Sequence, residues 1–164
     1  MNPFSDEAAT RDGPPLRERA LRLLTRRDHS RHELARKLAP HAESAEALST
    51  LLDDLERSGL LSDQRYADQR STARGKRLGN SRVAYELRTK GVEDAIIATA
   101  LDALGDEMSR ARDVWQKKFR GVTPGSREEW AKHARFLQSR GFPPNLIRKL
   151  LNDPNHGSPD SDEE

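Results

Sequence analysis

Cysteine is absent from the 164 residues. That excludes disulfides, thiolate metal sites and a cysteine nucleophile, and it is consistent with a reducing compartment. Long apolar runs are missing too: none approaches the roughly 18 residues of a membrane span. Met1 to Gly13 carries acidic residues and no apolar stretch, unlike a signal peptide. A cytoplasmic protein is expected. Valine and isoleucine are scarce and no segment alternates apolar with polar residues, so strands are not expected. Hydrophobic residues make up only 34%, too little for one thick core, and charged residues another 34%. These proportions suit thin helical layers in an elongated, curved molecule with much exposed surface.

What is present recurs at helical spacing. Leu16, Ala20, Leu23 and Leu24 share one face, as do Ala45, Leu48, Leu52 and Leu55. Ile97, Ala100, Leu101 and Leu104 form a third set, and Met108, Ala111, Trp115 and Phe119 a fourth. Gly59, Gly91 and Gly141 stand where helices should end, because glycine accepts the left-handed conformation after a helix. Ser126 and Glu129 have capping-box spacing, and Pro143-Pro144 fits a helix start.

The helices fall into threes. Glu33-Leu34-x-x-Lys37 returns as Glu86-Leu87-x-x-Lys90-Gly91 and as Phe136-Leu137-x-x-Arg140-Gly141, each about 50 residues on. An all-α protein of three tandem three-helix, helix-turn-helix-like repeats is expected. Repeat one should span 15–61, repeat two 62–105 and repeat three 106–152. Residues 1–14 and the acidic tail 153–164 read as disordered.

Catalytic constellations are hard to assemble. Asp53, Asp54, Glu56 and Asp63 superficially imitate a metal-dependent nuclease. Adjacent carboxylates on a helix point about 100° apart, however, and do not share a site. His29, His32 and His41 lie near one another in sequence, but His29 falls before the helix that Ser30 would cap. No phosphate-cradling glycine loop is present. The expectation is a binding protein with no catalytic site, cofactor or metal.

The cations carry more information. First and second helices are basic, while the third helices of repeats one and two are acidic, with Glu46, Asp53, Asp54 and Glu56 in one and Glu93, Asp94 and Asp102 in the other. One side of each repeat should therefore be positive, a contact surface for nucleic acid or nucleoprotein, with the acidic helices facing elsewhere or meeting basic loops of a protein partner. A scattered, solvated surface is the alternative. Acidic third helices argue against insertion into a major groove, whose phosphates would repel them, so contact with nucleic acid would use backbone charge. The aromatics, Tyr85 included, are expected in the core, with base stacking on an exposed tryptophan as the alternative.

Taken in order, these motifs resemble the RecX family. The resemblance rests on Ala20-Leu21-x-Leu23-Leu24, Ser30-Arg31-x-Glu33-Leu34-x-x-Lys37-Leu38, and Leu55-Glu56-x-x-Gly59-Leu60-Leu61-Ser62-Asp63-x-x-Tyr66-Ala67. It continues through Glu86-Leu87-x-x-Lys90-Gly91-Val92, Val114-Trp115-x-Lys117-Lys118-Phe119 and Arg135-Phe136-Leu137-Gln138-Ser139-Arg140-Gly141-Phe142. A departure lies at Leu78-Gly79-Asn80-Ser81, where family members often carry a Gly-Pro segment. The resemblance implies tandem three-helix repeats that regulate RecA. Such proteins bind in the groove of the RecA–DNA filament and restrain strand exchange, coprotease function and ATP hydrolysis, modulating DNA repair, recombination and the SOS response. It implies a monomer that has no membrane partner and touches the DNA backbone without sequence preference.

The candidate filament-facing cations are Arg26, Arg27, Arg31 and Lys37 in repeat one. Repeat two adds Arg74, Lys76, Arg77, Arg82, Arg88 and Lys90, and repeat three Lys117, Lys118, Arg120 and Arg140. The rival readings are a free-standing DNA-binding regulator and a helical adaptor for a protein partner.

Overall fold

The computed structural model describes residues 13–153. Apart from Gly13, Pro14 and Asp153, the segments expected to be disordered lie outside these residues. Among the described residues every regular element is helical. The chain divides into two compact units, Met1–Ser62 and Asp63–Glu164.

The first unit holds α1 (Leu16–Arg26), α2 (Arg31–Leu38) and α3 (Ala45–Arg57), with a 3-10 turn at Ala39–His41. The Ser30 hydroxyl accepts from the Glu33 amide and the Ser44 hydroxyl from the Ala47 amide, at 3.1 and 3.0 Å. Each satisfies an amide that the first helical turn would otherwise strand. Ala20, Leu34, Leu38, Leu52, Leu55 and Leu61 form the core of this repeat. Full burial of each leucine contributes roughly 1.5–3 kcal/mol.

The second unit holds α4 (Asp63–Gly75), α5 (Asn80–Thr89), α6 (Asp94–Asp102), α7 (Glu107–Phe119), α8 (Arg127–Ser139) and α9 (Pro144–Leu151). It has two cores. Tyr66, Val83, Leu87, Val92 and Ile97 anchor the one within α4–α6. Trp115, Leu137, Phe142, Ile147 and Leu150 anchor the one within α7–α9. The repeated Leu-x-x-x-Gly pattern has a structural cause. The Val92 amide donates to the Leu87 carbonyl and the Phe142 amide to the Leu137 carbonyl, both at 3.2 Å. Gly91 and Gly141 have φ of 74° and 91°, the left-handed turn this closure requires. The residue after each glycine, Val92 or Phe142, is buried, so the turn also delivers an apolar side chain to its core.

Repeats two and three are joined backbone to backbone. The Gly79 amide donates to the Arg140 carbonyl at 2.8 Å. A β-carbon on Gly79 would lie 2.4 Å from the Gly141 oxygen, and one on Gly141 would lie 2.4 Å from Arg82 Cβ. Arg110, from α7, donates to the carbonyls of Gly75 and Leu78 at 3.1 and 3.0 Å and to the Asn80 side chain. Glu107 reaches back and accepts from the Asn80 amide at 2.8 Å, so repeat three caps the first turn of α5. The loop that departs from the family pattern is the joint.

Candidate polyanion-binding site

The fourteen candidate cations divide by what they touch. Arg31, at the start of α2, sits 2.7 Å from Asp53 and 3.0 Å from Glu56 on α3. Arg88 on α5 donates to Asp94 at the start of α6 at 2.8 Å. The acidic third helices therefore meet the basic second helices of their own repeats at these residues. These pairs partly neutralise Arg31 and Arg88 within their own repeats. Arg27 grips Glu33 through both carboxylate oxygens, one at 3.1 Å. Lys37 lies 3.8 Å from the same carboxylate and 3.1 Å from His29 Nε2. The hydrogen bonds from Arg27 hold the Glu33 carboxyl down at about 2. Arg74 clasps Glu86 with two bonds, 2.9 and 2.7 Å, and lowers its pKa likewise. Such cations order the repeats and present a partly cancelled field.

A second group is different. Lys76, Arg77, Lys117, Lys118 and Arg140 have no carboxylate partner among the described residues. They line one groove of about 570 Å³, with Val114 and Phe136 as its apolar part. Lys76 and Arg77 follow α4, Lys117 and Lys118 end α7, and Arg140 caps α8. The joint between repeats two and three is what gathers them. Lys118 Nζ lies 5.7 Å and the Arg140 guanidinium 5.2 Å from the Phe136 ring centroid. A π face orients a cation without cancelling its charge, unlike a carboxylate. The groove is thus preorganised and still positive, the combination a polyanion site needs.

Arg26 and Lys37 border a separate groove in the first unit, of about 450 Å³, with Arg19, Arg22 and His41. Arg22 is paired with Glu18 at 2.5 Å, and Arg19 Nε donates to the Pro14 carbonyl at 3.1 Å. Arg19 and Arg22 were not among the candidates, although successive spacings of three and four, Arg19 to Arg22 and Arg22 to Arg26, put all three on one stripe. Of the remaining candidates, Arg82 lies over Tyr85, Lys90 is half-buried at the end of α5, and exposed Arg120 closes α7 with a φ of 55°.

The buried histidines serve packing. His29 Nδ1 bonds the Arg27 carbonyl at 3.0 Å, and burial lowers its pKa. His133 accepts from the Trp115 indole N–H at 3.1 Å and stacks on Phe119 with ring centroids 3.6 Å apart. Desolvation lowers its pKa as well. Among the described residues no group of three histidines and carboxylates could hold a metal ion. No described helix is long and apolar enough to cross a membrane.

The fold and the groove define an all-helical tandem-repeat protein with a preformed cationic surface. Models of the first, second and third three-helix domains of RecX match residues 17–54, 62–101 and 106–151. The regulatory protein RecX of Chromobacterium violaceum is 42% identical over 140 residues, covering 85% of this chain and 91% of that one. That of Leptothrix cholodnii is 43% identical over 145 residues, covering 88% and 92%. The crystal structure of RecX from Lactobacillus salivarius superposes with a TM-score of 0.70 at 20% identity, over 83% of this chain and 92% of that one. The chain belongs to the RecX family of regulatory proteins.

Proposed function

We propose that this protein is a non-catalytic regulator of RecA that binds the RecA–DNA filament, in its groove, and restrains recombinase, coprotease and ATPase activity. Through this it modulates DNA repair, recombination and the SOS response in the cytoplasm, acting as a monomer. Family membership supports the choice of partner. The observation that carries the mode of binding is the groove of five cations left without carboxylate partners. A RecA–DNA filament offers what such a groove lacks: phosphates, and the acidic side chains of a protein polymer. A rigid joint helps, since a surface that is already assembled loses little entropy on binding.

The test is RecA's ATP hydrolysis on single-stranded DNA, titrated with this protein at substoichiometric amounts. Inhibition is the expected result, weakened when Lys117, Lys118 and Arg140 are reversed to glutamate. Undiminished hydrolysis at all ratios would defeat the reading.

A further inference from the structure

Five cations gathered in one groove repel one another, and negative charge on the same chain can relieve them. Several carboxylates of the same unit are engaged elsewhere: Glu86 by Arg74, Asp94 by Arg88 and Glu107 by the Asn80 amide. The densest acidic run of the sequence lies beyond the described residues, at Asp160-Ser161-Asp162-Glu163-Glu164. It brings four carboxylates, and the segment 154–159 before it brings none.

Where the chain leaves α9 decides what that run can reach. Asn152 Oδ1 accepts from the Trp130 indole at 3.0 Å, and Asp153 lies 3.7 Å from Arg112 on α7. Lys117 and Lys118 stand further along the same helix, roughly 8–9 Å along its axis and more than about 100° round it from Arg112. Passing round a helix of roughly 10–12 Å diameter to reach them takes a path of roughly 20 Å. The seven residues from Asp153 to Asp160 span at most about 25 Å when extended. The acidic run would therefore arrive in the groove, neither short of it nor far past it.

We propose that the acidic run 160–164 docks in the five-cation groove of its own chain, so that a polyanion must displace it to bind. The inference rests on the reading of that groove as the polyanion site and adds an internal competitor to it. A tethered segment acts at an effective concentration of order millimolar, so even a weak contact of five residues competes with dilute ligands. Ligands that reach one or two of the cations lose to it. A ligand that touches all five at once displaces it. Selectivity for long, dense polyanions then comes from competition, without a shaped pocket.

The experiment compares the full chain with a full-length variant whose run is neutralised by Asp160→Asn, Asp162→Asn, Glu163→Gln and Glu164→Gln. The probe is labelled oligo-deoxythymidine, read by fluorescence anisotropy without RecA. The neutralised chain should bind roughly three- to tenfold more tightly at low salt, and the gap should close as salt approaches about 1 M. Neutralising the run in a Lys117→Ala, Lys118→Ala, Arg140→Ala background should give no such gain. Long-range repulsion between the run and the probe would survive in that background, so a gain of the same size there would overturn the proposal. Carbodiimide, which couples carboxylates to lysines in direct contact, supplies a second readout. Amide links from 160–164 should map by mass spectrometry to Lys76, Lys117 and Lys118, with a yield independent of protein concentration. Links confined to Lys90, Lys132 or Lys149, or a yield that climbs with concentration as docking on a second copy requires, would also overturn it. Should neither chain bind the oligonucleotide, the polyanion reading of the groove fails, and the coupling pattern still decides where the acidic run sits.

Discussion

Gly79 and Gly141 meet where neither could carry a side chain: a β-carbon on Gly79 would lie 2.4 Å from the Gly141 carbonyl oxygen. That oxygen is backbone and has nowhere to retreat while the Gly79 amide is bonded to the Arg140 carbonyl. Gly79→Ala should therefore part the joint, costing about 2–3 kcal/mol. Thermal unfolding should report the loss. Polyanion affinity should fall with it, since Lys76 and Arg77 would separate from Lys117, Lys118 and Arg140.

Arg110 serves the same joint by hydrogen bonding. Arg110→Met would leave the Gly75 and Leu78 carbonyls and the Asn80 side chain without their donor. A loss of about 3 kcal/mol is expected by denaturant titration. Arg110→Lys should recover only part of it, because one ammonium cannot reproduce a planar fork spread over three acceptors.

The two groups of cations should separate experimentally. Single alanine variants of Lys117, Lys118 or Arg140 should each reduce the salt slope of polyanion binding by about one and leave stability nearly unchanged. Arg74→Ala should do the opposite. It removes both hydrogen bonds to the largely buried Glu86 carboxylate, whose side chain is only 18% exposed, and leaves only Arg70 at 3.7 Å, so the expected result is lower stability with little change in slope.

Acid should weaken repeat one through Glu33. Its carboxyl is held at about 2 by hydrogen bonds from Arg27, below the ordinary 4.5. A lowered carboxylate pKa stabilises the fold above the unfolded value, and that contribution fades as pH falls from about 4.5 toward 2. Its size is of order 1 kcal/mol, after screening of the half-exposed Arg27. Glu33→Gln should flatten the stability profile of the chain across that window.

His133 gives repeat three a separate dependence near neutrality. Burial lowers its pKa from the ordinary 6.5, and the Trp115 indole N–H needs its Nδ1 unprotonated. The unfolded chain thus takes the proton first. Stability should decline as pH drops through 6.5 and level off once the folded histidine is protonated too. Both tryptophans, Trp115 and Trp130, belong to repeat three, so their fluorescence isolates it. His133→Phe should remove this dependence and cost about 1–3 kcal/mol by orphaning the indole N–H.

Local chemistry made much of this molecule legible before any coordinates. Ser30 and Ser126 cap helices because a hydroxyl one residue ahead of a helix reaches the amide three positions on, whatever the tertiary surroundings. Gly91 and Gly141 end helices because nothing else takes their φ at low cost. Leucine spacing identified the buried faces, and the recurrence of Leu-x-x-Lys/Arg identified the repeats. Tyr85 escaped this logic: expected in the core, it is 59% exposed. Its position on α5 looks like any aromatic at helical spacing, and only the placement of α4 and α6 decides which face is covered. The site was legible as a composition and not as a list. Arg31, Arg74 and Arg88 read the same as Lys117 and Arg140 in a sequence, since charge carries no record of its partner.

The sequence by itself determined the all-helical class, the grouping of the helices into threes and the RecX family. These follow from interactions within a few residues or from patterns repeated along the chain. Tertiary structure decided which cations remain uncompensated, because an ion pair such as Arg74–Glu86 forms between helices, across a gap of twelve residues. It decided the joint as well. Nothing local distinguishes Gly79 from a loop glycine. Its necessity comes from Gly141, sixty-two positions away in the chain and within van der Waals reach in space.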